Sequence, residues 1–203
     1  MSTLSLPDLK LPAGPRAEDR FRAIAPGERR LLLLASVDRA GGIGRGDALL
    51  LPLRQDLRRL RRLTMGDTVV VGRRTLESFP GAKPLAGRPH LVLSGSLAAA
   101  GPSAWEGTEI CPDLPALLDA IARRSGRIWI LGGAQVYRQL LPYCHQAWLT
   151  HIDARLPGAT HYLDIPQLGW RTVWRSPAYL DRASRLGYHY EISCQEEPHA
   201  LPR

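Results

Sequence analysis

Four short apolar runs punctuate the first two thirds of the chain: "RLLLLASV" (30–37), "DTVVVG" (67–72), "RPHLVLSGS" (88–96) and "RIWIL" (127–131). A run of four or five large apolar residues with no polar alternation suits a strand covered on both faces. The segments between them are patterned as helices. "LPLRQDLRRLRRLTMG" (51–66) and "DLPALLDAIARR" (113–124) repeat their leucines at three and four residues, and Asp113 is placed as an N-cap. "RRTLESF" (73–79) and "GGAQVYRQLLP" (132–142) are shorter helical stretches, the second ended by Pro142. "HQAWLTHIDARL" (145–156) follows as a long strand. "GWRTVWRS" (169–176) and "GYHYEISC" (187–194) then alternate at period two, as an antiparallel pair does.

Strand and helix alternating in this way predict an α/β fold. Its central sheet is mixed and mainly parallel, flanked by helices, with antiparallel C-terminal strands. The 203 residues suit one domain. Residues 1–29 are rich in Pro, Gly and charge and lack periodicity. They are expected to form a flexible N-terminal extension, disordered or draped over a domain at 30–195, with a tail at 196–203.

Charge and composition narrow the function classes. The formal net charge is +8, and Lys10 and Lys83 are the only lysines, so the positive charge is almost all arginine. Arginine suits phosphates and carboxylates, which it grips bidentately, but it also simply solvates surface helices. The arginines are spread along the chain with no aromatic-interleaved basic strip, so no nucleic-acid partner is expected. No apolar run approaches the ~20 residues of a membrane span, and the N-terminus has no secretory pattern. Cys111, Cys144 and Cys194 are odd in number and far apart, against a disulfide framework or a paired-cysteine zinc site. His145, His151, His161 and His189 lack helical metal-ligand spacing and lie in strand patterns, so no metal is expected. No nucleophile-elbow motif occurs. The cytoplasm is the expected compartment. The oligomeric state is open, with a monomer as the working expectation.

Two features raise questions of chemistry. On the 51–66 helix, Leu53, Leu57, Leu60 and Leu63 share a face, while Arg58, Arg59, Arg61 and Arg62 fall largely opposite. Asp56 lies on the apolar face. A carboxylate there must find partners or shift its pKa upward; a structural pairing with Arg54 or Arg59 is one solution. Secondly, strand ends are marked by glycine. "ILGGAQVY" and "VVVGRRT" each run from strand to helix through Gly132–Gly133 or Gly72, offering close backbone approach and free N–H groups to a phosphate. "GGIGRGDA" (41–48) is a third, mobile-looking glycine loop. None is a standard dinucleotide or phosphate-loop fingerprint. Two such turns on one sheet suit a ligand with separate phosphates.

Taken in order, these segments resemble the dihydrofolate reductase family over roughly residues 31–195. "SVDRAGGIG" is similar to its first strand and active-site loop, and "LPLRQDLRRLRRLTMG" to its substrate helix. "VVVGRRTLESF", "PLAGRPHLVLS" and "ILGGAQVY" are similar to its cofactor segments, and "WLTHIDARLPGATHY" to the strand and loop that follow. The resemblance implies a single dihydrofolate-reductase-like domain that transfers a hydride from NADPH to C6 of a dihydropterin, with protonation at N5. It implies that Asp56 is the acid that binds the pterin 2-amino group and N3, supported by Thr150. Leu51, Leu53, Leu57 and Leu60 would contact substrate, and Arg88 would clamp the carboxylate of the folate tail. The implied cofactor residues are Ala35, Ile43, Gly44, Gly72, Arg73, Arg74, Thr75, Leu93, Ser94, Leu131, Gly132, Gly133, Ala134, Gln135, Val136 and Tyr137, with a cis bond expected between Gly132 and Gly133. Two arginines at 73 and 74 favour NADPH over NADH.

Four features depart from the family pattern. Leu51, or Leu50 in a register shifted by one, replaces a tryptophan that touches substrate and orders water near the acid. Leu60 replaces an aromatic, and Gln135 a frequent arginine. The N-terminal extension has no counterpart in short bacterial members. Dihydrofolate is the expected substrate. Dihydromethanopterin, or binding of NADPH or a pterin without turnover, are the alternatives.

Overall fold

The computed structural model describes residues 17–99, 105, 107–165 and 169–201. A 3-10 turn at Ala17–Arg22 comes first. In chain order there follow β1 (Arg29–Val37), β2 (Gly42–Arg45), β3 (Ala48–Leu49), α1 (Arg54–Thr64), β4 (Thr68–Gly72), α2 (Arg73–Glu77), β5 (His90–Leu93), α3 (Gly95–Ala99), β6 (Thr108–Cys111) and α4 (Leu114–Ala122). Then come β7 (Gly126–Gly132), α5 (Ala134–Leu140), β8 (Gln146–Ile152), β9 (His161–Tyr162), β10 (Trp170–Arg175), β11 (Tyr179–Leu180) and β12 (Gly187–Gln195).

Among the described residues the main sheet has nine strands, in the order β10-β12-β8-β1-β7-β4-β5-β6, with β11 beside β12. Pairings from β8 through β6 are parallel; β12 runs antiparallel to β8, β10 and β11. The predicted mainly parallel sheet with antiparallel C-terminal strands is therefore the observed one. The apolar runs sit at its centre because both faces are covered. Successive residues of β1 point to opposite sides: Leu31 and Leu33 join α4 and α5 in one core, while Leu32 and Leu34 join Leu63 of α1 and Leu76 of α2 in the other. In the second core Trp129 and Trp148 meet edge to face, with centroids 5.5 Å apart.

Several expectations change at element scale. The strand read over 145–156 ends at Ile152. Strand β6, which carries no strong apolar run, was not foreseen; it is an edge strand with one buried residue, Cys111. The glycine loop 41–48 is ordered rather than open, since β2 pairs with β3 and β9 in a small second sheet. Asp38 anchors its base, accepting from the N–H groups of Ala40, Gly42 and Leu156, each at 2.8 Å. The N-terminal segment from residue 17 is draped over the domain, not loose: Glu18 is buried and Phe21 packs on the second core. Residues 1–16 of the extension lie outside the described residues. All three cysteines are unpaired. No helix among the described residues is long and apolar enough to cross a membrane.

Candidate active site

The C-terminal ends of β1, β4, β5 and β7 open into one cleft of about 830 Å³. This is where ligands collect in a parallel sheet. Its lining brings together Ala35, Ile43, Gly44, Gly72, Arg73, Arg74, Thr75, Leu93, Ser94, Leu131, Gly133, Ala134, Gln135, Val136 and Tyr137. Of the residues the resemblance implies for the cofactor, Gly132 alone stands behind the lining. Its peptide bond to Gly133 is cis, and its φ is +115°. A Cβ at Gly132 would stand 3.2 Å from the Tyr137 ring, so glycine is needed there on both conformational and steric grounds.

The glycine turns leave helix starts bare. Gly72 and Gly133 are the N-caps of α2 and α5, and neither supplies a side-chain cap. A Cβ at Gly72 would come 3.2 Å from Val136, and one at Gly133 3.2 Å from the Thr75 hydroxyl. Arg73 is engaged by Glu77 at 2.7 Å, whereas Arg74 is exposed beside it. Ser94 turns inward, accepting from Leu97 N–H at 3.1 Å. The Tyr137 hydroxyl donates to the Leu34 carbonyl at 2.8 Å, so this tyrosine presents its ring rather than its hydroxyl to the cleft. Burial, reinforced by the charge of Asp56, pushes its pKa up. Ser36, Leu49, Asp113 and His161 also line the cleft and were not foreseen. They lie on β1, β3 and β9 and, for Asp113, at the N-cap of α4, where no local pattern marks them for a ligand.

The acid lies one strand to the side. Thr150 on β8 is the register partner of Ser36 on β1, and its hydroxyl donates to Asp56 Oδ1. Burial raises the Asp56 pKa, opposed by the Thr150 hydrogen bond and the nearby Arg59 charge. Around it, Leu53 is buried with Ile152, Tyr188 and Tyr190, and Leu51 packs against the same cluster. Leu60 is half-buried against the second core, while Leu57 is 44 % exposed. Leu53, Leu60 and Leu63 thus keep the face the leucine spacing implies, Leu57 drops out of it, and a second buried side is added at Arg59. Arg59 is 2 % exposed, because the Ala17–Arg22 turn covers that side of α1, and Leu57 is left open to solvent. Arg59 ion-pairs with Glu18 at 2.9 Å rather than with Asp56. Sequence reasoning weighed Arg59 only as a partner for Asp56 and missed Glu18; acidic Glu18 and Asp19 ahead of a run of arginines was the available signal.

Arg88 is half-buried at the other end of α1. Its Nη1 donates to Thr64 Oγ1 at 3.2 Å, and Nε and Nη2 to the Ala86 carbonyl. These bonds orient the guanidinium over the helix end. Elsewhere, the cross-strand register His189–His151 brings together histidines that are distant in sequence. Their rings stack at 5.0 Å, and with Glu191 their ligand atoms lie within 4.8 Å of one another. Glu191 is engaged by Arg175 at the same time.

Comparison with known proteins follows the same lines. A family model described as dihydrofolate reductase matches residues 30–194. "Dihydrofolate reductase type 3" of Salmonella typhimurium is 38 % identical over 146 residues, 71 % of this chain and 85 % of that protein. The dihydrofolate reductase of Mycobacterium tuberculosis is 34 % identical over 154 residues, 75 % of this chain and 89 % of that one. Among solved structures, dihydrofolate reductase from Enterococcus faecalis, complexed with NADP(H) and RAB-propyl, superposes with a TM-score of 0.71 at 27 % identity. That match covers 83 % of this chain and 97 % of the other.

Proposed function

The chain belongs to the dihydrofolate reductase family, and from that premise we propose how its own residues carry the reaction. It is an NADPH-dependent oxidoreductase that reduces 7,8-dihydrofolate to 5,6,7,8-tetrahydrofolate. When bound, NADPH supplies the hydride that reaches C6 of the pterin.

The cleft fits such a cofactor. At Gly72 and Gly133 there is no side chain where a Cβ would press on Val136 or Thr75, which leaves room for a ligand against the backbone. The uncapped starts of α2 and α5 present N–H groups there. Arg73, Arg74 and Thr75 would hold phosphates, with Arg73 exchanging its exposed partner Glu77 for them. Gln135 contributes an amide at a helix start but no charge.

Asp56 binds and orients the substrate. A pterin offers its 2-amino group and N3–H as a two-donor fork, which matches a carboxylate. Thr150 fixes the carboxylate's rotation by donating to Oδ1. Leu53 and Leu60 back the ring, and Leu57, open to solvent, is covered once substrate is present. Arg88, oriented by Thr64 and Ala86, faces the carboxylate of the folate tail. The proton for N5 arrives through water, and Leu51 provides no N–H to order that water.

The observation that carries this reading is the Asp56 carboxylate, bonded to Thr150 one strand from the cleft. Asp56→Asn tests it: NADPH oxidation with dihydrofolate at neutral pH should fall by at least about 100-fold, with the melting temperature kept. Retained turnover would remove the role given to this carboxylate. Running dihydrofolate and dihydromethanopterin side by side decides the substrate, since turnover of the second alone would make Leu51 and Leu60 determinants of a different pterin.

A further inference from the structure

Helix α1 carries a buried charge that the reaction above does not use. Arg59 follows Asp56 by three residues and is 2 % exposed. Its Nε donates to Glu18 Oε2 at 2.9 Å, and Glu18 is itself 4 % exposed. Its Nη1 stands 3.5 Å from Thr150 Oγ1, the hydroxyl that donates to Asp56. The guanidinium lies over the Tyr190 ring, 4.3 Å from the centroid. Arg62 closes on the second oxygen of Glu18 and holds Asp19 at 2.6 Å. Glu18 thus bridges two arginines of α1, and one of them contacts the group that positions the catalytic acid.

We propose that Glu18 and Arg59 are positioning residues for Asp56: the Ala17–Arg22 turn brings a carboxylate into the site, seats Arg59 against Thr150 and offsets the charge that Asp56 feels. The turn lies outside the region shared with the family, residues 30–194. This inference rests on the reading of Asp56 given above.

The electrostatic consequence has a sign. Asp56 is bonded by Thr150 on β8, and within electrostatic reach of it are Tyr188 and Tyr190 on β12, Tyr137 on α5, Arg59 on its own helix and Glu18 on the 3-10 turn. The three tyrosines are held protonated, each pushed upward chiefly by burial. The charges acting on the acid are therefore Arg59, which favours its ionised form, and Glu18, which opposes it. Removing Glu18 leaves the arginine unopposed, and Asp56 ionises at lower pH. Removing Arg59 does the reverse, and Glu18 keeps Arg62 as a partner.

The test is the pH dependence of NADPH oxidation with dihydrofolate in the full-length protein, with melting temperatures measured in parallel. For Glu18→Gln the midpoint moves to lower pH by on the order of one unit. For Arg59→Met it moves the other way, and Glu18→Asp, which keeps the charge, stays near wild type. A Glu18→Gln enzyme that melts lower yet keeps its midpoint would reduce the turn to a structural staple and overturn the proposal, as would both variants moving in one direction. If Glu18→Gln does not fold, Arg59→Met decides alone, an unmoved midpoint being fatal. The Asp56→Asn result separates the two levels. If that variant retains turnover, the reading of Asp56 fails and takes this inference with it. If it loses turnover while the Glu18 and Arg59 variants titrate as wild type, only this inference falls.

Discussion

In the proposed function, Arg88 is a side chain held ready for the carboxylate of the folate tail. Its guanidinium is desolvated and its pKa drawn down by burial and by Arg61. Bonds to Thr64 and Ala86 hold it in place at the end of α1. An arginine so fixed meets a carboxylate with little further loss of side-chain freedom. Arg88→Met should raise KM for dihydrofolate by roughly 10- to 100-fold, the range for a hydrogen bond to a charged group, with kcat nearly unchanged because the contact is remote from the reacting carbon. A pterin substrate with no carboxylate tail should show the same KM in both enzymes. Steady-state kinetics on the two substrates checks both halves. Gly132 is the opposite kind of residue, one defined by what it lacks: its positive φ would strain any side chain, and a Cβ there would crowd the Tyr137 ring at 3.2 Å.

Elements in this fold are positioned by a few buried polar anchors. Asp38, just past β1, draws three backbone N–H groups from Ala40, Gly42 and Leu156 to one carboxylate. Against the effect of burial, those donors hold its pKa below the usual carboxylate range. The bonds tie β2 to the segment after β8, and β2 carries Ile43 and Gly44 into the cleft wall. Asp38→Ala leaves the three donors to find water, and should destabilise the protein by about 1–3 kcal/mol. The same change should speed amide hydrogen exchange in residues 39–45 more than in β1 or β7. Equal exchange throughout would show that β2 is held by its pairing alone. Helix α1 is likewise set by what lies on either side of it: the sheet beneath, the 3-10 turn on the Arg59 side and the open slot at Leu57.

For the molecule as a whole, acid stability follows from Glu191, which joins three strands. It sits on β12, 3.7 Å from His151 on β8, and accepts from Arg175 on β10. His151 first and Arg175 next, against the effect of burial, hold its pKa at about 2 instead of 4.5. A carboxyl whose folded pKa lies below its unfolded one stabilises fully above the unfolded value, and loses this as pH falls through the folded one. Glu191→Gln should therefore be less stable than wild type at pH 7, by about 1–2 kcal/mol once screening of the exposed Arg175 is allowed for. Denaturant titrations should show the gap closing between pH 4.5 and 2. A gap that persists at pH 2 would mean that lost packing, not charge, is responsible.

The parts of the protein legible in sequence are those where local pattern and final environment agree. The apolar runs at 31–37 and 127–131 become central strands because nothing but a two-sided core accommodates them. The Asp113 cap accepts from Ala116 N–H because that bond closes within one turn. The glycine turns at 72 and 132–133 reach one cleft because parallel strands end on the same side. Asp56 announced itself as a carboxylate on an apolar face. The rest required distant segments to meet. Leucine spacing on α1 cannot report that a turn forty residues earlier covers Arg59 and leaves Leu57 open, nor that strand register stacks His151 on His189. Sequence by itself determined the succession of strands and helices, the carboxylate on the leucine face and the glycine turns, since each depends on contacts within a few residues or on the period of an element. Tertiary structure alone decided which charges face that acid, because burial and electrostatic pairing are set by neighbours in space, and these neighbours are far apart along the chain.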